Sequence, residues 1–215
     1  MNLEEIPTYS AGELERIADR LLRERWQPEV VMPVDIDLLV EQEPGVVLDY
    51  RPGLEQAFGV VGAVVHYPEG ETFTIYIDQD VADHRPNFYR FTLAEEFAHL
   101  VLHRSVIQQA KTLEDAAWLH EWLRYKEIDR NAKRLAAALL MPPRHVLEDA
   151  AELYQGMVRH IGFENPAAVK KYLVDQLSRR YRVSREAMGH RLEEWPIRVV
   201  EKVDAAMREG LDFLD

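Results

Sequence analysis

The chain has 215 residues, of which 47% are hydrophobic, so it can bury a substantial core in one main domain with a small appendage. Its formal net charge of −12 disfavours general nucleic-acid binding. The absence of cysteine excludes disulfides and thiolate metal sites, and with no apolar run of about 18 residues we expect a cytoplasmic protein.

The first predicted elements are two helices and three strands. Ser10 followed by Glu13 predicts a capping box at the start of a helix. Asp35 to Gln42 predicts a second, shorter helix. Apolar and β-branched residues then predict three strands, at Val46 to Tyr50, Phe58 to His66 and Thr72 to Asp78. Together the strands indicate a small twisted sheet.

A helix with an unusual set of polar residues follows the sheet. The segment 79–89 is polar and predicts a loop, after which Thr92 and Glu95 predict a capping-box start at Thr92. On this helix Glu95, His99 and His103 are spaced i, i+4 and i+8, so they share one face. Glu96 lies beside that row. Because unpaired buried charge is costly, we interpret this face as a metal or catalytic site.

The string Glu95-Glu96-Phe97-Ala98-His99 is close to the zinc-peptidase pattern H-E-x-x-H, in which two histidines bind zinc and the glutamate activates water. Here Glu95 replaces the first histidine. Two interpretations remain open. One is a site for a divalent ion, and the other is a metal-free network of buried carboxylates and imidazole.

A second helix, predicted from Glu127 to Met141, carries the remaining polar candidates. Its small alanines allow close approach to the first helix, and Pro142-Pro143 ends it. The polar candidates are Asp129 and Asn131, and the rotation of the helix decides which of them faces the first helix. A helix predicted from Leu113 to Tyr125 carries His120 together with Trp118 and Trp122. The tryptophan pair is interpreted as core packing, with a flap over the site as the alternative.

The final third, residues 146–215, predicts a separate helical region. Helices are expected at Val146 to Ile161 and Pro166 to Arg180, and Ser184 caps another in a helix-turn-helix-like arrangement. Eight basic residues oppose four acidic ones between positions 170 and 198. We interpret this patch as the solvated face of a packing module, so no nucleic-acid-binding residue is predicted. The last amphipathic helix is expected from Val199 to Asp215.

The two central helices resemble those of the ImmA/IrrE metallopeptidases of bacteria and phages. The resemblance extends from Ile6 to Leu192. The second helix matches through the run Asn131 to Pro142, although the family has its third metal-binding glutamate where Asn131 stands. The first helix matches at Arg90, Phe91, Thr92, Leu93, Ala94, Glu96, His99 and His103.

The resemblance implies an α+β, zincin-like fold over residues 1–145 and a hydrolytic metal site. Glu96 would be the general base. The metal would be held by Glu95 and His99 together with Asn131 or Asp129. The oxygen-rich ligand set admits manganese as well as zinc. His103 is a weaker candidate, because it lies about 6 Å along the helix axis from His99.

Peptidases of this kind receive the substrate backbone on an edge strand next to the metal helix. From its placement we predict that Thr72 to Asp78 is this edge strand. Its substrate-facing residues would be Thr72, Thr74 and Tyr76.

Two functions follow from the resemblance. The first is a metal-dependent endopeptidase that cuts a regulatory protein, typically a helix-turn-helix repressor, under stress or mobile-element induction. Because the anionic Glu95 weakens the ion as a Lewis acid, activity should be low or conditional. The second is an inactive descendant that serves as a binding or sensing module for a transcriptional regulator.

Overall fold

The computed structural model describes residues 7–26, 29–122, 125–161 and 165–209. Within these ranges the chain forms eleven α-helices and three β-strands. It divides into two compact units, Met1–Leu140 and Met141–Asp215. The predicted domains, 1–145 and 146–215, place this division a few residues later. No helix in the described part is long and apolar enough to cross a membrane.

The first unit begins with two capped helices. Helix α1, Ala11–Arg25, starts at Ser10, whose hydroxyl accepts a hydrogen bond from the Glu13 amide at 3.3 Å. The Glu13 carboxylate accepts in return from the Ser10 amide at 2.7 Å, which confirms the predicted capping box. Helix α2, Ile36–Glu41, is capped by Asp35.

The sheet has three strands in the order β1-β3-β2. Strand β1 pairs in parallel with β3, and β2 pairs antiparallel with β3. A single 3₁₀ turn, Pro68–Gly70, connects the antiparallel pair. The strands are β1, Val46–Arg51; β2, Gly62–Tyr67; and β3, Thr72–Asp78.

The prediction that Thr72 to Asp78 is an edge strand is wrong. As the central strand, β3 is hydrogen-bonded on both sides and has no free edge for a substrate. Thr72, Thr74 and Tyr76 therefore cannot receive a peptide by strand addition. The alternating pattern identified the strand correctly but carries no information about its place in the sheet.

A short helix replaces the start of the second predicted strand. Helix α3, Leu54–Phe58, lies between Gly53 and Gly59, which both adopt a left-handed backbone with φ of 71°. Glycine adopts this conformation at little cost, so both ends of the helix turn sharply. Strand β2 consequently starts at Gly62 rather than at Phe58.

Most of the segment 79–89, predicted as a polar loop, is also helical. The carboxylate of Asp78 accepts a hydrogen bond from the Asp80 amide at 2.9 Å and caps the new helix. The helix predicted from Leu113 to Tyr125 is shorter in the structure, because it ends at Glu121. The elements are α4, Gln79–His84; α5, Pro86–Ile107; α6, Leu113–Glu121; and α7, Tyr125–Leu140.

Helix α5 is the centre of the first unit. It packs against α7 on one side and against β2 and β3 on another, and α1 packs on α7. Most of its side chains are buried, which is why its sequence lacks a single apolar stripe. The α+β architecture predicted from the sequence is confirmed. Fully buried residues of the unit include Leu22, Leu39, Phe73, Ile75, Leu93, Phe97, Leu135 and Leu139.

The second unit is helical in its described part. Ser184 caps α10 by accepting a hydrogen bond from the Ala187 amide at 3.0 Å, as predicted. The end of the last predicted helix, at Asp215, lies outside the described residues. The helices are α8, Pro143–Ile161; α9, Pro166–Tyr181; α10, Arg185–Glu193; and α11, Val199–Glu209.

Candidate metal centre

Helix α5 begins before the predicted position. Pro86 occupies its first turn, where the missing amide proton costs nothing, and Arg85 precedes it. The prediction of a capping-box start at Thr92 is therefore wrong. Thr92 is buried in the helix interior, where its side chain packs against neighbours instead of capping a helix start.

Three side chains converge between α5 and α7. Glu95, His99 and Asp129 each offer a ligand atom, and these atoms all lie within 4.8 Å of one another. His99 is buried, while Glu95 and Asp129 are half-buried. Two carboxylates and one imidazole form a donor set that fits a divalent ion such as zinc or manganese.

Lys133 completes the cluster with a positive charge. Its Nζ lies 2.9 Å from Asp129 Oδ2 and 3.8 Å from Glu95 Oε1. Lys133 follows Asp129 by four residues, so the two side chains are neighbours on the same face of α7. The ammonium group thus interacts with both carboxylates of the cluster.

Glu96 is buried where α5 meets β2. It lies directly against Gly62: a Cβ at that position would come within 2.7 Å of Glu96 Oε1 and 2.8 Å of Thr92 Cγ2. A Cβ carbon essentially never approaches other atoms so closely, so a larger residue at position 62 would require Glu96 and Thr92 to shift. Strand β2 therefore packs closely against the side chain of Glu96.

Glu95 and Glu96 hold protons more strongly than ordinary carboxyls. Burial, opposed by Lys133 and reinforced by Asp129, raises the pKa of Glu95 to about 8. Burial also raises the pKa of Glu96 well above its usual range, and the charges of Glu95 and Asp129 add to the effect. Perturbed acids of this kind are typical of functional sites.

The histidines shift in the opposite sense. Burial, followed by repulsion from His103, His120 and Lys133, lowers the pKa of His99 well below its usual range. His99 is therefore neutral near pH 7, the form that binds metals. Burial lowers the pKa of His103 to about 4.

His103 lies apart from the converging ligand atoms. Its backbone leaves the helical region, with φ of −129° and ψ of 32°, so α5 is kinked there. Within the described part of the chain, neither buried ring nitrogen of His103 has a hydrogen-bond partner. Tyr9 packs edge-on against its ring and donates a hydrogen bond to the Leu102 carbonyl at 2.9 Å. This arrangement indicates packing around a kink.

Asn131 and Asp129 lie on different sides of α7. Residues two apart are separated by about 200° around a helix, so the side that carries Asp129 is not the side that carries Asn131. Asn131 is buried, and Asp129 joins the cluster.

Two residues near the cluster were not assigned to it from the sequence. Lys133 could have been found, because it stands four residues after an acid on the same helix. His120 is half-buried on α6. Burial lowers its pKa, which Asp129 raises and Lys133 lowers. No sequence spacing relates α6 to the other two helices.

The basic residues of the second unit are largely paired with acids. Lys170 pairs with Glu193, and Arg185 pairs with Asp175. Arg180 Nη2 lies 3.1 Å from Asp149 Oδ1. Nucleic-acid phosphates would have to displace these partners, which supports the interpretation of a packing module.

Comparison with known proteins gives a family match and a similar structure. The model of Peptidase_M78, the IrrE N-terminal-like domain, matches residues 61–193. A solved structure titled Mycobacterium tuberculosis transcriptional regulator is similar over 85% of this chain, with a TM-score of 0.50 and 16% sequence identity. The matched part is 47% of that structure's chain, so the present chain spans about half its length. No curated protein matches.

Proposed function

The chain belongs to the Peptidase_M78 family of IrrE N-terminal-like domains, and from this premise we propose that it is a metal-dependent endopeptidase. The observation that carries the proposal is the convergence of Glu95, His99 and Asp129 within 4.8 Å, beside the buried carboxyl of Glu96. A partly buried cluster of two acids and an imidazole is costly for folding, and binding a divalent ion would offset that cost.

The proposed ligands are Glu95, His99 and Asp129. Asp129 takes the third place instead of Asn131, because the helix presents the two residues on different sides. Zinc and manganese both suit this donor set. When bound, such an ion supplies Lewis-acid polarisation of the scissile carbonyl.

Glu96 is the proposed proton carrier of the reaction. Its carboxyl lies directly against Gly62, where there is little space for it to move. Its raised pKa makes it a better proton acceptor than an ordinary glutamate once it is ionised. The same property lets it return the proton to the leaving amine.

The proposed substrate is a regulatory protein, such as a helix-turn-helix repressor, and the proposed setting is a cytoplasmic stress response. Support comes from the family, whose members act on repressors. The similar solved structure is titled a transcriptional regulator, but at 16% identity it supports the fold alone.

A second function, a catalytically inactive binding or sensing module for a transcriptional regulator, is favoured by one observation. Lys133 places an ammonium group beside the two carboxylates that would bind metal, at 2.9 and 3.8 Å. A lysine that pairs with these acids can stabilise the fold without any ion.

Cleavage assays on the full chain separate the two functions. The protein is dialysed against a chelator, supplied with zinc or manganese, and incubated with a peptide library whose new amino termini are detected by mass spectrometry. Replacing the proton carrier typically costs a peptidase roughly a hundredfold or more, so Glu96→Gln should remove cleavage. The exposed Glu114→Gln serves as the matched control.

Glu95→His restores the family's histidine and should keep or raise the cleavage rate. If neither the natural chain nor Glu95→His cleaves any peptide, the endopeptidase proposal fails. Equal cleavage by the natural chain and Glu96→Gln would remove Glu96 from the reaction.

A further inference from the structure

The Lys133 ammonium lies beside two of the three side chains proposed to bind a divalent ion. It is 2.9 Å from Asp129 Oδ2 and 3.8 Å from Glu95 Oε1, which are oxygens of two of the three proposed ligands. A zinc ion would lie about 2.0 to 2.2 Å from each of these oxygens. The two cations would then be only a few ångströms apart.

Two positive charges at such a separation repel each other strongly in a partly buried site. They also compete for oxygen lone pairs, because the lysine donates a hydrogen bond to Asp129 Oδ2 and forms an ion pair with Glu95 Oε1, on two of the proposed ligands. The ammonium and the ion therefore cannot both keep these positions.

Lys133 has room to leave. Its side chain is 52% exposed, compared with 18% for Glu95 and 27% for Asp129. Its flexible four-carbon stem can carry the ammonium group outward without any change in the helix. The carboxylates are instead held between two packed helices.

We propose that Lys133 is an internal counter-cation that competes with a divalent ion for the carboxylates of Glu95 and Asp129. Metal binds only when the Lys133 ammonium group moves into solvent, so the lysine lowers the affinity of the site for the ion. This inference rests on the proposed function, because it takes the same three residues as ligands. It adds a residue that controls metal affinity and explains why activity would be conditional.

Isothermal titration calorimetry of the full, chelator-treated chain with zinc or manganese ions tests the inference. Lys133→Met keeps the length of the side chain and removes its charge. Loss of a positive charge this close should tighten binding by roughly tenfold or more. Lys133→Arg keeps the charge and should bind no more tightly than the natural chain. Lys126→Met, an exposed lysine at the start of the same helix, is the matched control and should change nothing.

The other outcomes overturn the inference in distinguishable ways. Equal affinity in Lys133→Met and the natural chain would remove the competition but leave the metal site intact. Weaker binding in Lys133→Met would show that the lysine positions the ligands. Absence of binding in every variant would remove the metal site, and with it the proposed function.

Chemical labelling gives a second readout that does not depend on activity. Acetic anhydride acetylates accessible lysines, and mass spectrometry compares Lys133 with Lys126 in the same sample. Saturating zinc should increase the labelling of Lys133 and leave that of Lys126 unchanged. An unchanged or lower labelling of Lys133 in a zinc-bound sample would contradict the displacement of its ammonium group.

Discussion

Buried polar side chains have different surroundings in the α5–α7 pair of the first unit and in helices α8 to α10 of the second. In the second unit, the buried Tyr181 hydroxyl donates to Asp149 Oδ2 at 2.7 Å, and buried Arg191 donates from Nε to the Met141 carbonyl at 3.0 Å. In the α5–α7 pair, Glu96 and His103 are equally buried, but burial there opposes their charged forms.

The comparison separates polar groups that support a fold from those that a fold has to tolerate. A buried hydrogen bond to a nearby partner adds stability, whereas a buried acid among other acids reduces it. Buried acids of this unfavourable kind are typical of catalytic and binding sites. We therefore expect substitutions in the two regions to differ in sign and in pH dependence.

The largest effect should come from Arg191→Met in the second unit. The change leaves the buried Met141 carbonyl without this donor, and we expect a loss of about 3 kcal/mol in the free energy of unfolding. Urea denaturation measures it. Arg185→Met on the same helix removes only an exposed ion pair and should cost less than about 1 kcal/mol. Equal losses would mean that the buried arginine is no more structural than a surface one.

His103 gives the α5–α7 pair a characteristic acid sensitivity. Its pKa is about 4 in the folded chain and 6.5 for an unperturbed side chain. Between these values the unfolded chain binds a proton that the folded chain does not, so stability is full above pH 6.5 and falls as the pH drops through 4. The loss should reach up to about 3 kcal/mol.

Urea denaturation from pH 7 to 4, in the presence of a chelator, compares the natural chain with His103→Leu. The variant should lack that part of the acid-induced loss. The exposed His84→Gln is the control and should follow the natural profile. If His103→Leu follows it too, the buried imidazole does not carry the acid sensitivity.

Gly62→Ala tests the tight contact behind Glu96. The added Cβ would overlap Glu96 and Thr92, and overpacking of this kind should cost about 2 kcal/mol in the free energy of unfolding. Gly189→Ala, in α10, meets open space and should stabilise the chain by about 0.5 to 1 kcal/mol. Thermal denaturation measures both changes. A harmless Gly62→Ala would show that the strand can move away from the glutamate.

The smallest effect is expected for Tyr181→Phe. It removes one hydrogen bond to Asp149 and keeps the ring, so the free energy of unfolding should fall by about 1 kcal/mol. Tyr172→Phe on the same helix removes a hydroxyl from a more exposed ring and is the control. Differential scanning calorimetry resolves the shift. A gain in stability would place Tyr181 with the tolerated groups of the first unit.

Local signals in the sequence were sufficient for many of the elements. The Ser10–Glu13 capping box and the Ser184 cap predict helix starts because the bonds they form lie within one turn. The same chemistry failed at Thr92, where a proline six residues earlier had already started the helix. A capping pattern shows that a helix can begin at a residue, but packing decides whether it does.

Sheet order and helix rotation depend on contacts that no short pattern contains. The alternation of β3 is equally consistent with an edge and a central strand, and only pairing with β1 decided between them. The third member of the cluster depended on the rotation of α7, which is fixed by packing against α5 and α1. Hence the sequence identified Glu95 and His99 directly but left Asp129 and Asn131 as alternatives.

The pairing of β1 with β3 and the packing of α1 on α7 have a practical consequence. Both elements lie before residue 61, where the family match begins. A protein trimmed to residues 61–193 would expose one whole side of β3, and bare strand edges promote aggregation. Recombinant work on this domain should therefore keep the chain from the start of α1 through β1, because cooperative folding needs more of the polypeptide than the family match covers.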